Sequence, residues 1–121
     1  MIEAKADKPR NVLSVTYAQH VTPDETRPAV ERLRRLLDEL APGFRLLTDL
    51  SRLDEMDLGC VPDVRKMMDL CDDKGVETVV RVIPDPQKDI GFKILSLFHY
   101  ERRVRIVTCE ALPEALKILA G

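Results

Sequence analysis

The chain has 121 residues, with 19 Lys and Arg against 21 Asp and Glu, a net charge of −2, and both signs spread along its length. That length makes one domain, residues 1–121, able to bury most of its unfolded surface without a metal or a disulfide. The charge balance excludes a general nucleic-acid binder, which needs a basic excess to displace counterions, and 4% aromatic residues without Trp exclude a base-stacking platform.

Apolar positions alternate between strand and helix periods along the chain. Asn11–Ala18, NVLSVTYA, has the period-two, β-branched pattern of a half-buried strand, and the preceding IEAKAD is its short antiparallel partner, turning at 7–10. Val30, Leu33, Leu36, Leu37 and Leu40 then recur at helical spacing up to Pro42 and Gly43. Thr22, Pro23 and Glu25 have the form of a capping box, but Pro28 would then lack an amide inside the helix, so the spacing favours a start at Thr26. Phe44–Leu50 reads as the second main strand, and a helix follows from Pro62 to Lys74 and Gly75, with Val64, Met67, Met68 and Cys71 inward. Val76–Ile83 is a third strand. Asp85 and Pro86 open a helix with Ile90, Ile94, Leu97 and Phe98 as its stripe, Val104–Thr108 is the fourth strand, and Pro113 opens a last helix. The order βαβαβαβα implies an α/β domain with a mainly parallel sheet of four to five strands.

Motifs for chemistry are sparse. The first long strand ends in YAQH, without the acidic pair of a receiver domain; Asp49 is followed by Leu50 and Ser51 rather than a second Asp; and there is no GxxxxGK[ST] or GxSxG. Cys60, Cys71 and Cys109 stand in no metal-ligand pattern and read as reduced, part-buried thiols. No cofactor and no metal is expected. Asp49, Asp54, Glu55 and Asp57 cluster, but nothing in their spacing fixes them around one ion, and Asp49 and Asp57 stand where short acids cap turns and helices. His20 reads as a loop residue, and His99 as the end of a helix stripe. The start, MIEAKADKPR, lacks the apolar segment of a signal peptide, and no run of apolar residues is long enough for a membrane span, so a cytoplasmic protein is expected.

The segment TDLSRLDEMDLGCV resembles the part of STAS domains in which Asp-Leu-Ser-Gly is followed by apolar residues and then Asp-Ser-Ser-Gly. STAS domains include anti-sigma-factor antagonists and sulfate-transporter tails. Asp49, Leu50 and Ser51 match its opening, and Asp57 matches the later Asp. The likeness extends to the hairpin-like start, the Gly before Val76 and the closing VRIVTCEALPEAL. It implies a STAS-like domain with helices chiefly on one face of the sheet, acting as a non-catalytic regulatory or protein-interaction module. Leu58 stands where the family carries its phosphorylatable Ser, followed by Gly59 and Cys60, which implies that the phospho-switch is lost. Asp49, Ser51, Asp57 and Leu58 are the surface this resemblance marks for a partner.

Period-two alternation assigns Leu13, Val15, Tyr17, Phe44, Leu46, Thr48, Val80, Val82, Val104 and Ile106 to the face under the helices. The opposite, open face then carries Ser14, Thr16, Leu47, Asp49, Val79 and Val107 together with Arg45, Arg81 and Arg105. Three arginines on adjacent strands would make an interface for a second copy or bind a small anion, since guanidinium forks pair carboxylates and phosphates. A homodimer, another protein partner, and a carrier or sensor of a small anionic or lipidic ligand are the partner readings. A hydrolase-like site using Asp49, Ser51 and His99 is the remaining alternative.

Overall fold

The apolar run of Leu46, Leu47 and Leu50 lies in the central strand of a five-stranded sheet, where both faces are covered and polar alternation is not required. The computed structural model describes residues 1–98 and 104–121. Its elements are β1 (Ile2–Asp7), β2 (Val12–Val21), α1 (Pro23–Leu37), β3 (Arg45–Met56), a 3₁₀ turn (Leu58–Cys60), α2 (Val61–Lys74), β4 (Thr78–Val82), α3 (Phe92–Leu97), β5 (Arg105–Cys109) and α4 (Leu112–Ala120). Strand order follows the sequence from β1 to β5; β1 pairs antiparallel with β2, and all other pairs are parallel.

The main core joins one face of this sheet to α1, α2 and α3. Leu13, Val15 and Tyr17 of β2, Leu46 and Leu50 of β3 and Val79 of β4 meet Leu33, Val64, Met67 and Ile94 from the helices. A second, smaller cluster lies on the other face, where Val12, Leu47, Val80, Val82 and Cys109 pack under Ala115 and Leu119 of α4. Helices thus lie chiefly on one face, and the face expected to be open is covered over β3, β4 and β5 by the last one. Burial raises the pKa of all three thiols, that of Cys71 to about 12, so they stay protonated.

Two helix starts differ from the sequence reading. α1 begins at Pro23 and keeps Pro28 inside it. Its first turn is held because the Glu25 carboxylate accepts the Thr22 amide at 3.1 Å and also pairs with the Met1 amine at 3.3 Å, which offsets the hydrogen bond that Pro28 cannot donate. α3 begins at Phe92 rather than Pro86. Asp85 does cap, but it closes a turn by accepting the Gln87 amide at 2.9 Å, and the positive φ of Gly91 (91°) then breaks the chain before the helix.

β4 is displaced by one face from its expected position. Val79 is level with Leu46 and Ile106, and Val80 with Leu47 and Val107, so Val80 and Val82 face α4 while Val79 and Arg81 face the three-helix side. Arg45, Arg81 and Arg105 therefore do not share a face. Arg45 donates to the Leu119 and Ile118 carbonyls (2.9 and 3.5 Å) at the end of α4, where a cation offsets the helix dipole. Arg105, on the same face two strands away, is exposed. We predict that Arg45→Ala lowers the unfolding free energy by about 1 kcal/mol, while Arg105→Ala changes it by less than about 0.5 kcal/mol. Urea denaturation of both variants checks this, and equal losses would contradict the role of Arg45 at the helix end.

Candidate functional site

The segment that resembles the STAS motif is strand rather than loop. β3 runs six residues past Leu50, because its ladder with β2 slips twice: Thr16 faces Asp49 but Ala18 faces Arg52, and Gln19 faces Leu53 but His20 faces Glu55. Each extra residue in β3 exchanges the two faces, so Leu50, Leu53 and Met56 all enter the main core despite odd spacing. The first slip is fixed by Asp49. Its carboxylate is 2% exposed and accepts both the Ser51 amide (2.9 Å) and the Ser51 hydroxyl (2.6 Å). The expected turn-closing role of this acid thus falls inside the strand and not at its end.

Asp57 stands at the N-cap position of the 3₁₀ turn but makes no side-chain cap; its Oδ1 lies 2.6 Å from His20 Nε2. The Asp57 amide donates to Val21 (3.1 Å), which ties the start of the turn to the end of β2. Glu55 is level with His20 on the neighbouring strand, so imidazole and two carboxylates gather at the carboxyl ends of β2 and β3. Asp54 is drawn elsewhere, to Lys88 at 2.9 Å. Leu58 follows with 58% exposure, and Gly59 packs closely behind it, where a Cβ would stand 3.0 Å from Pro23 Cγ.

Leu58 borders a cleft of about 380 Å³ that also has Met56, Ile90 and Ile94 in its walls, and Phe92, 84% exposed, sits beside it at the start of α3. A second cavity, of about 290 Å³, opens beyond the end of β4 and beside β3, between Leu50, Ile83, Leu95 and Phe98, with Arg81 and Lys88 at its polar side. Arg81 is oriented there by Nε donation to Thr108 Oγ1 at 3.1 Å and by donation to the Phe98 carbonyl. His99, the third member of the hydrolase-like set, lies outside the described residues.

The site residues are therefore brought together in two groups. Asp49 and Ser51 satisfy each other inside β3, whereas Asp57 and Leu58 join His20, Glu55 and the cleft. His20 and Phe92 were missed in the sequence. His20 lies 37 residues from Asp57, and its strand reads as finished at Ala18; the exposure of Phe92 follows from the late start of α3, which sequence spacing did not reveal.

The hydrogen bond that the His20 ring donates to the Asp57 carboxylate raises the His20 pKa above the ordinary imidazole value, with the charges of Asp57, Glu55 and Glu25 adding to it. A raised folded pKa means that the protonated pair contributes stability fully below the unfolded value and loses it as pH rises through the folded one. We predict a His20 NMR titration midpoint above the ordinary value, returning toward it in Asp57→Asn; an unchanged midpoint in that variant would exclude the pairing. Asp49→Ala should cost about 1–2 kcal/mol by thermal denaturation, because it strands the Ser51 amide and hydroxyl.

No protein-family model matches the sequence, and no curated protein matches it. Among solved structures, the chain is similar to the anti-sigma factor antagonist SpoIIAA in its unphosphorylated form, at 12% identity and a TM-score of 0.69, with 100% of this chain and 99% of that one covered. It is also similar to an uncharacterized DUF3478 protein with a SpoIIAA-like fold from Shewanella loihica PV-4 (17% identity, TM-score 0.65, 98% and 92% covered). A third is an anti-sigma factor antagonist from Thermotoga maritima, described as putative in its own structure (15%, 0.62, 100% and 96%). No helix among the described residues is long and apolar enough to cross a membrane. Over its described residues, the chain has the SpoIIAA-like fold.

Proposed function

We propose that this protein is a cytoplasmic, non-catalytic regulatory module of STAS type that binds another protein through the surface around Leu58 and Phe92. The observation that carries this reading is two large apolar side chains left in solvent, Leu58 in the wall of a cleft and Phe92 between two of its lining residues, Gly91 and Lys93, on a fold shared with a protein named as an anti-sigma factor antagonist. Exposed apolar groups of this size, beside a cleft lined by Asp54, Glu55, Asp89 and Lys93, suit a protein interface. Leu58 has no hydroxyl to phosphorylate, so the interaction is not switched at that position. A second copy of the chain is the other protein occupant this surface would take.

A second reading is favoured by the cavity beyond the end of β4. Its apolar walls and the cations Arg81 and Lys88 suit a small anionic molecule with an apolar body, and the ends of parallel strands are where open α/β sheets bind ligands. Native mass spectrometry of protein purified gently from its own cells separates the readings. The expected result is a complex with one defined protein, lost in Leu58→Asp and Phe92→Asp while their melting temperatures stay within a few degrees of the parent. A bare chain in every sample, or a complex indifferent to both substitutions, would overturn the interaction reading. A reproducible added mass of a few hundred daltons, lost in Arg81→Met, would replace it with the ligand reading.

A further inference from the structure

We propose that His20, Glu55 and Asp57 form a binding site for a divalent first-row transition cation of the zinc class. One imidazole nitrogen and one oxygen from each carboxylate lie within 4.8 Å of one another, and the His20 Nε2 to Asp57 Oδ1 separation is already 2.6 Å. A tetrahedral zinc with bonds of about 2.0–2.1 Å needs ligand atoms about 3.3 Å apart. Reaching that spacing requires the His20–Asp57 contact to open slightly and the Glu55 carboxylate to approach, changes of the size that side-chain torsions of two exposed residues and one half-buried residue supply.

The backbone that carries the three residues is fixed independently of them. His20 and Glu55 are level on hydrogen-bonded parallel strands, and the second slip of the β2–β3 ladder lies immediately before that pair. Asp57 is held by its amide bond to Val21. Behind the site, Val21 and Met56 are buried in the main core, so the strand ends cannot splay without disrupting it. This is the preorganisation that a metal site needs and that a chance meeting of flexible surface acids lacks.

Charge and ligand type select the ion. Two carboxylates and a neutral imidazole present two negative charges to a dication, and Glu25 adds to the same field at His20. The Met1 amine lies against the His20 carbonyl at 3.4 Å, but it is paired with Glu25 at 3.3 Å. On binding, Nε2 of His20 gives its proton to water and its lone pair to the ion. Imidazole favours zinc, nickel or copper over magnesium and calcium, which take oxygen ligands in larger number. Three protein ligands leave a coordination position for water or for an acidic or imidazole group of another molecule. The site adjoins the proposed protein interface, since Glu55 also lines the cleft beside Leu58 and the residue after Asp57 is Leu58.

Zinc titrated into the intact chain, followed by calorimetry and by the His20 ring resonances, tests the proposal. One equivalent should bind saturably, with the His20 ring shifting in step, and His20→Gln and Asp57→Asn should each weaken binding at least about tenfold. Circular dichroism of the two variants without zinc confirms that they are folded. Cobalt(II) provides a separate readout, because its visible spectrum reports the ligands directly. Absence of saturation below about 1 mM zinc, affinity unchanged in His20→Gln, or a thiolate-to-cobalt charge-transfer band placing the ion on a cysteine would each overturn the assignment.

Discussion

The arrangement at the carboxyl end of the sheet depends on how β3 departs from regular pairing with β2. A strand of twelve residues in strict alternation from Leu46 would bring Arg52 and Asp54 against the helices, at a desolvation cost the main core could not offset. The buried Asp49 carboxylate prevents this by accepting both hydrogen-bond donors of Ser51, which stabilises the one extra residue that exchanges the faces. A second slip exchanges them again, so that Leu53 and Met56 are buried while Arg52, Asp54 and Glu55 remain in water. The acid cluster is thereby displayed along a strand edge, and its last members reach His20. The Asp-Leu-Ser sequence acts here first as a device of strand geometry.

Most of the fold was legible because each element announces itself locally. Strand and helix periods alternate cleanly, Gly75 ends α2 with a positive φ of 97°, and β1 forms the antiparallel edge expected of IEAKAD. The register of β4 was not legible, and the reason is specific. Val79, Val80 and Val82 are all fully buried, so a strand sandwiched between two helical layers offers no polar face to set its parity. The charged residue inside it, Arg81, misled because its guanidinium is satisfied by Thr108 and the Phe98 carbonyl rather than by solvent alone. Sequence alternation is informative where one face is wet and silent where both are dry.

The candidate site was half legible for a related reason. Asp49, Ser51, Asp57 and Leu58 lie in one continuous stretch and carry the family likeness, so they could be selected together. What the stretch is near could not be read from it, since that depends on the β2–β3 register, which the two slips alter. The three arginines illustrate the converse. Similar residues at corresponding strand positions suggested a common surface, yet one terminates α4, one lines a cavity on the other side of the sheet and one is exposed at the edge.

The division of the interior into two clusters also gives the protein two separately addressable layers. Cys71 belongs to the three-helix side and Cys109 to the layer under α4, and both thiols are buried and held protonated. Since only the thiolate reacts readily, alkylation at either position must await an opening that admits solvent. An opening of the short α4, which Arg45 anchors at its end, would expose Cys109 before Cys71 if the three-helix core stayed closed, so the modification rate at Cys109 relative to Cys71 would report such a partial unfolding.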